Sequence, residues 1–351
     1  MGKEEISAIT SILRNGALTS STNQGGKHVQ NFEKLTASFV KSKYVIAVNS
    51  GTAALQAALY ALDIKNGDEV LVPSFTFVAT ANAVVSTGAK PVFVDILKEN
   101  YTIDPDDLEK KITKKTRAII PVHLYGNVAN IERLTEISKK YNLPIIEDSA
   151  QSLGSTYKRK HTGTFFEMGC FSMYPAKVMT SGEGGFIVTN NKKLRDKLLM
   201  IRNHGMIHGY DTKIFGLNLR LPEINAAIAS IQMKKLPNFL KSRKRNAELL
   251  SKLISDLNVV IPSQRKNENV NWYLYTIATD KRNKFLKKLN EKGIGAVSYY
   301  PTPVHKTPFY QSKTKLPITD WSASHVISLP IHPKVTQKNI EFIAKTIRDV
   351  L

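Results

Sequence analysis

A lysine works as a nucleophile only when its ammonium is made to release a proton, which takes burial or a neighbouring positive charge. Lys177 stands where that can be arranged. It lies in the loop Tyr174-Pro175-Ala176-Lys177-Val178-Met179-Thr180-Ser181-Gly182, directly after the apolar run Phe171-Ser172-Met173. A carbonyl compound captured there would form a Schiff base, although an ordinary solvated lysine has the same local pattern. Two other segments carry a similar double reading. Asn49-Ser50-Gly51-Thr52-Ala53 separates an apolar run from a helical one. Free N–H groups and the helix dipole suit a phosphate there, and Gly51 lets the backbone come close; a plain Ser or Thr cap is the alternative. Asp148 ends the run Pro144–Glu147. A carboxylate at that place can pair with a cationic ring nitrogen or cap the next helix. Glu147, by strand alternation, faces the other side.

The elements around these residues alternate in kind. Short β-branched runs at 45–48, 70–72, 91–95, 118–122 and 144–148 are separated by helical spacing at 52–62, 77–86 and 131–141. Such alternation predicts an α/β fold with a doubly wound, mostly parallel sheet covered on both faces. Ligands of such sheets sit beyond the carboxyl ends of the strands, where residues 49–52, 74–77, 148–151 and 172–177 fall. Pro222 opens a further helical region. After about Val259 the pattern shifts to strands at 273–278 and 296–299 and helices at 281–292 and 337–351, a smaller α+β unit. The expected division is 1–235 for the large domain and 236–351 for the connecting helix and small domain.

Composition narrows the class. The chain has 351 residues, 42% hydrophobic and 23% charged, as an ordinary globular protein does. No apolar run approaches a membrane span, and MGKEEISAIT reads as the start of a helix rather than as a signal peptide. Cys170 is the one cysteine, so no intrachain disulfide exists, and a reduced cytoplasmic setting is expected. No metal site is expected. The net charge of +21 raises nucleic acid as a partner. The basic residues are scattered, however, with small knots at Lys158–Lys160, Lys234–Lys235 and Lys241–Arg245, and no zinc-finger, RNA-recognition or zipper signature accompanies them. A solvated lysine-rich surface, or docking of an anionic substrate, accounts better for the charge than nucleic acid does.

Ordered along residues 29–233, the segments VNSGTAALQAAL, GDEVLVPSFTFVATANAVVSTGAKPVFVD, IIEDSAQSLGSTY, CFSMYPAKVMTSGEGG, RNHG and GLNLRLPEINAAIASIQ resemble the DegT/DnrJ/EryC1/StrS sugar aminotransferases. These are fold-type-I enzymes of pyridoxal 5'-phosphate (PLP), with an aspartate-aminotransferase-like large domain. The resemblance implies that Lys177 is the Schiff-base lysine and general base, and that Asp148 pairs with the pyridine nitrogen. It sets Gln151 beside the ring oxygen or the sugar, and Phe77 stacked on the ring. Gly51, the Thr52 and Ala53 amides and the Ser172 hydroxyl would hold the phosphate. Asn218 matches a residue that reaches the phosphate from a partner subunit, which implies a homodimer with shared active sites. His305 and Tyr300 correspond to the substrate end. The chain departs from the family at Val178, commonly Asn, and at Tyr299, often His.

The activity so implied moves an amino group from glutamate or glutamine to a ketosugar, expected to be nucleotide-linked, with ping-pong kinetics. Sugar dehydratases of the same family carry histidine in place of the lysine, and Lys177 decides against them. Transamination of a cyclitol or another cyclic ketone shares every assignable residue. A non-catalytic basic regulator that kept the fold is the reading from another class.

Overall fold

The computed structural model describes residues 1–207 and 209–350. Helices α1 (Lys3–Asn15) and α2 (Lys27–Val40) lead into β1 (Tyr44–Val48) and α3 (Gly51–Ala61). Then come β2 (Glu69–Pro73), α4 (Ala79–Val85), β3 (Lys90–Val94), α5 (Pro105–Lys110), β4 (Thr116–Ile119), α6 (Ile131–Tyr141) and β5 (Ile146–Asp148). A hairpin of β6 (Thr156–Tyr157) and β7 (Lys160–His161) precedes β8 (Met168–Ser172), β9 (Gly185–Thr189), α7 (Lys192–Arg202) and α8 (Glu223–Ile254). The remainder comprises β10 (Glu268–Asn269), β11 (Tyr275–Ala278), α9 (Arg282–Glu291), α10 (Pro317–His325), β12 (Val326–Leu329) and α11 (Gln337–Val350).

Two groups of strands, β1-β9-β8-β5 and β4-β2-β3, meet through parallel bridges Ile119–Ile145 and Val122–Asp148 and act as one sheet. All its pairings are parallel except those of β9, which runs against both β1 and β8. The expected parallel sheet is therefore present with one reversed strand. Alternation along the strands divides the core. Ile46, Val48, Met168, Cys170 and Ile187 face α3, α4 and α7, while Val45, Ala47, Phe171, Phe186 and Val188 face α2 and α8. Phe171 and Phe186 stack at 4.5 Å. Helix α3 lies close because its inward positions are Ala53, Ala54, Ala57 and Ala58.

Helix α8 continues unbroken past residue 235, with Pro237 inside it. Its first half packs among Phe32, Met173 and Phe186; Ala247, Leu250 and Ile254 of its second half belong to the C-terminal core with Tyr275, Phe285 and Ile343. The expected strand at 296–299 is reduced to a single bridge, Val297–Ser328, because Tyr300 turns to φ 58° and Pro301 follows. Two of the basic knots are engaged locally. Lys158 pairs with Glu132 at 2.6 Å, and Lys235 pairs with Glu4 and Glu5. Among the described residues no helix is long and apolar enough to cross a membrane.

Candidate active site

Strands β1, β2, β5 and β8 run in the same direction, so Asn49–Gly51, Ser74–Phe77, Asp148 and Ser172 emerge on one edge of the sheet. Asp148 is buried there. Its Oδ2 accepts from the Thr80 hydroxyl at 2.9 Å and its Oδ1 from the Ala150 N–H at 3.2 Å. Among the described residues no cationic side chain forms an ion pair with it. Burial pushes the Asp148 carboxyl above its ordinary pKa; the Thr80 and Ala150 bonds and the nearby positive charge of Lys177 oppose that rise. Glu147 turns to the opposite face, as alternation requires, and accepts from Gly163 N–H at 2.6 Å and Phe165 N–H at 2.7 Å. His123 Nδ1 accepts from Ala129 N–H, so its Nε2 carries the proton donated to Glu147 at 2.9 Å.

The start of α3 makes the second half of the site. Ser50 caps the helix, its Oγ accepting from Ala53 N–H at 3.0 Å. That amide, expected at a phosphate, is thus engaged in the cap. The Gly51 and Thr52 N–H groups have no acceptor among the described residues. A Cβ on residue 51 would lie 2.7 Å from the Ser172 Cβ, so only glycine lets the helix start come this near to β8. Together, two free amides, a helix of 11 residues and the Ser172 hydroxyl form an anion cup.

Lys177 sits between these halves and the C-terminal region. Its side chain is half-buried, with Nζ 4.9 Å from the centre of the Tyr273 ring. Burial lowers its pKa to about 8, against the attraction of Asp148, which raises it. Gln151 is buried with both ends of its amide in use: Oε1 accepts from Tyr125 N–H at 2.8 Å, and Nε2 donates to the Tyr300 hydroxyl at 3.0 Å. Phe77 is 58% exposed, an unusual state for a phenyl ring and one that leaves a face free for a flat ligand. Asn218 is exposed, and its carbonyl accepts from the Asn49 side chain at 3.2 Å.

His305 lies apart from this group. It is fully buried, its Nδ1 bonded to the Ser74 hydroxyl at 2.6 Å and its ring beside Phe93, where it ties the C-terminal segment to the end of β2. In this position its ring has no open surface for a substrate. Two residues that sequence reading passed over lie at the candidate site, with a third that it read only as part of a basic knot. Thr80 fixes the Asp148 carboxylate, Tyr273 packs against Lys177, and Arg243 is buried behind Tyr273 although it lies in a basic knot. Thr80 stands three residues after Phe77, but nothing in its spacing marks it.

The donor set suits a phosphorylated, protonated heteroaromatic aldehyde. It offers an anion cup, a buried carboxylate without a cationic partner and an amine of lowered pKa on one strand edge. The family model described as the DegT/DnrJ/EryC1/StrS aminotransferase family matches residues 1–348. The chain is 36% identical to a pleiotropic regulatory protein of Geobacillus stearothermophilus, over 92% of this chain and 89% of that one. It is 35% identical to the dTDP-3-amino-3,4,6-trideoxy-alpha-D-glucose transaminase of Streptomyces venezuelae, over 99% and 93%. The solved structure of S. venezuelae DesV in complex with a ketimine intermediate superposes with a TM-score of 0.95 at 34% identity, covering 99% of this chain and 94% of that one. Sheet, strand-end site and matches converge, and the chain belongs to the DegT/DnrJ/EryC1/StrS aminotransferase family.

Proposed function

We propose that this protein transfers an amino group from glutamate or glutamine to a ketosugar carried on a nucleotide, with PLP bound at Lys177. One observation carries the reading: a half-buried lysine with a pKa near 8 shares a strand edge with a buried, unpaired carboxylate. The bound cofactor supplies an electron sink for the negative charge that develops on the substrate carbon. Asp148, held by Thr80 and Ala150, keeps the proton on the ring nitrogen, and its burial strengthens that pairing. The Gly51 and Thr52 amides and Ser172 would hold the phosphate, and Phe77 would pack against the ring. Lys177 Nζ would form the covalent link and, as a free amine, would move the proton of the substrate carbon. Gln151 and Tyr300 would lie toward the substrate.

Asn218 of the partner subunit completes the phosphate site in the homodimer that we propose. Support comes from the Asn218 side chain, which is exposed and so open to a second chain. The transaminase relative, named for a dTDP-linked sugar, supports a nucleotide-sugar acceptor. A cytoplasmic location fits such a substrate and the single buried cysteine.

Borohydride reduction of PLP-loaded protein should fix the cofactor to the Lys177 peptide, read as a mass increase. Lys177→Ala should lose that label, the visible absorbance and turnover. Retained transamination by the variant would defeat the assignment. The relative named for regulation and the net charge of +21 favour a second reading, a regulator that kept the fold. Colourless protein that takes up no PLP yet binds DNA with steep salt dependence would support it.

A further inference from the structure

A cavity of about 300 Å³ opens onto Lys177 from the C-terminal side, and Arg243, Tyr273, Tyr299 and His332 share its wall. No Asp or Glu lines it. Arg243 is 6% exposed. Its Nη1 donates to the carbonyls of Trp272 and Tyr273 at 3.2 and 3.0 Å, while its Nε is buried without an acceptor. Among the described residues it has no carboxylate partner. Burial lowers its pKa to about 10, and its positive charge adds to the burial that lowers that of His332.

A buried guanidinium without an anion is costly, and its planar fork is matched best by a carboxylate. The cavity has room for an amino acid. We propose that Arg243, assisted by His332, seats a carboxylate of the amino donor, so that this cavity is the donor subsite. The inference rests on the transaminase reading and adds to it: the cavity selects an anionic amino acid and holds its nitrogen near Lys177. Arg243 is then a specificity-determining residue rather than one of a basic surface knot. Lys241, Lys244 and Arg245, its neighbours in sequence, remain exposed.

The test uses PLP-loaded protein and two probes. Glutarate, a dicarboxylate without an amine, should bind the wild type by calorimetry, and Arg243→Gln should weaken it at least tenfold, as loss of a charged hydrogen bond implies. Glutamate and 1-phenylethylamine, which lacks a carboxylate, are then compared as donors by the rate at which each bleaches the bound cofactor. The ratio of the glutamate rate to the amine rate should fall at least tenfold in Arg243→Gln and partly recover in Arg243→Lys. Wild-type glutarate affinity in Arg243→Gln, or equal losses for both donors, would overturn the proposal. Arg243 also braces two carbonyls, so His332→Ala, at an exposed position, provides the independent variant. Its glutarate affinity should drop several-fold, and an unchanged value counts against the subsite. A yellow wild type that ignores glutarate defeats only the donor subsite, whereas wild type that takes up no PLP defeats the transaminase reading.

Discussion

The lowered pKa of Lys177 can be measured without any substrate. With a pKa of about 8, roughly 9% of the side chain is neutral at pH 7; at an ordinary lysine's 10.5 roughly 0.03% would be. The neutral fraction of Lys177 at pH 7 is thus about 300-fold that of a lysine of ordinary pKa, an advantage that the lower nucleophilicity of the less basic amine reduces without removing. Cofactor-free protein would be treated briefly with trinitrobenzenesulfonate from pH 6 to 11, and the label on each lysine peptide read by mass spectrometry. Labelling at Lys177 should rise about tenfold per pH unit, bend near pH 8 and then stay level. An exposed lysine in an added unstructured peptide serves as the comparison, its labelling rising to higher pH. Asp148→Asn gives a sign test. The Asp148 charge favours the ammonium form of Lys177, so its removal should move the bend to lower pH. A Lys177 profile that follows the exposed lysine up to pH 10 would refute the reasoning, as would a bend that moves upward in Asp148→Asn.

Two further substitutions test the rest of the strand edge. Gly51→Ala drives a Cβ to 2.7 Å from the Ser172 Cβ and should cost about 1–3 kcal/mol in urea unfolding, with weaker PLP binding by spectral titration. Stability and PLP affinity both equal to wild type would mean that the close approach has no consequence. Asp148→Asn removes a buried charge without an ion-pair partner and should leave the thermal midpoint unchanged or raised, while steady-state turnover falls roughly tenfold to a hundredfold.

The strand-end geometry was legible because the chemistry sits where apolar runs stop. Asp148 and Ser172 end runs that read plainly as strands, and α6 occupies the predicted 131–141, marked by Asn130 as its cap. Direction was not legible. Gly185–Thr189 is buried at every position, and a run apolar on both faces carries no sign of which way it points. The strand expected at 296–299 fails for a local reason, the positive φ of Tyr300 before Pro301, which no alternation pattern encodes. Burial within a charge cluster was also hidden. Arg243 reads like Lys241 and Arg245, and only the helical phase that turns it toward Trp272 and Tyr273 separates them. Ala53 illustrates the opposite case: the motif permitted two uses of its amide, and in the fold Ser50 takes it.

Helix α8 has a consequence for synthesis on the ribosome. Its 32 residues, about 48 Å of rod, finish at Ile254, before β11, α9, β12 and α11 have been made. The large sheet and the first half of the rod can assemble at that stage. The stripe of Ala247, Leu250 and Ile254 cannot be covered until Tyr275, Phe285, Ile327 and finally Ile343 emerge. At ordinary elongation rates of about 5–20 residues per second, an apolar ledge stays bare for several seconds. The nascent chain thus passes through an interval in which half of one helix is packed and the other half still presents a bare apolar stripe.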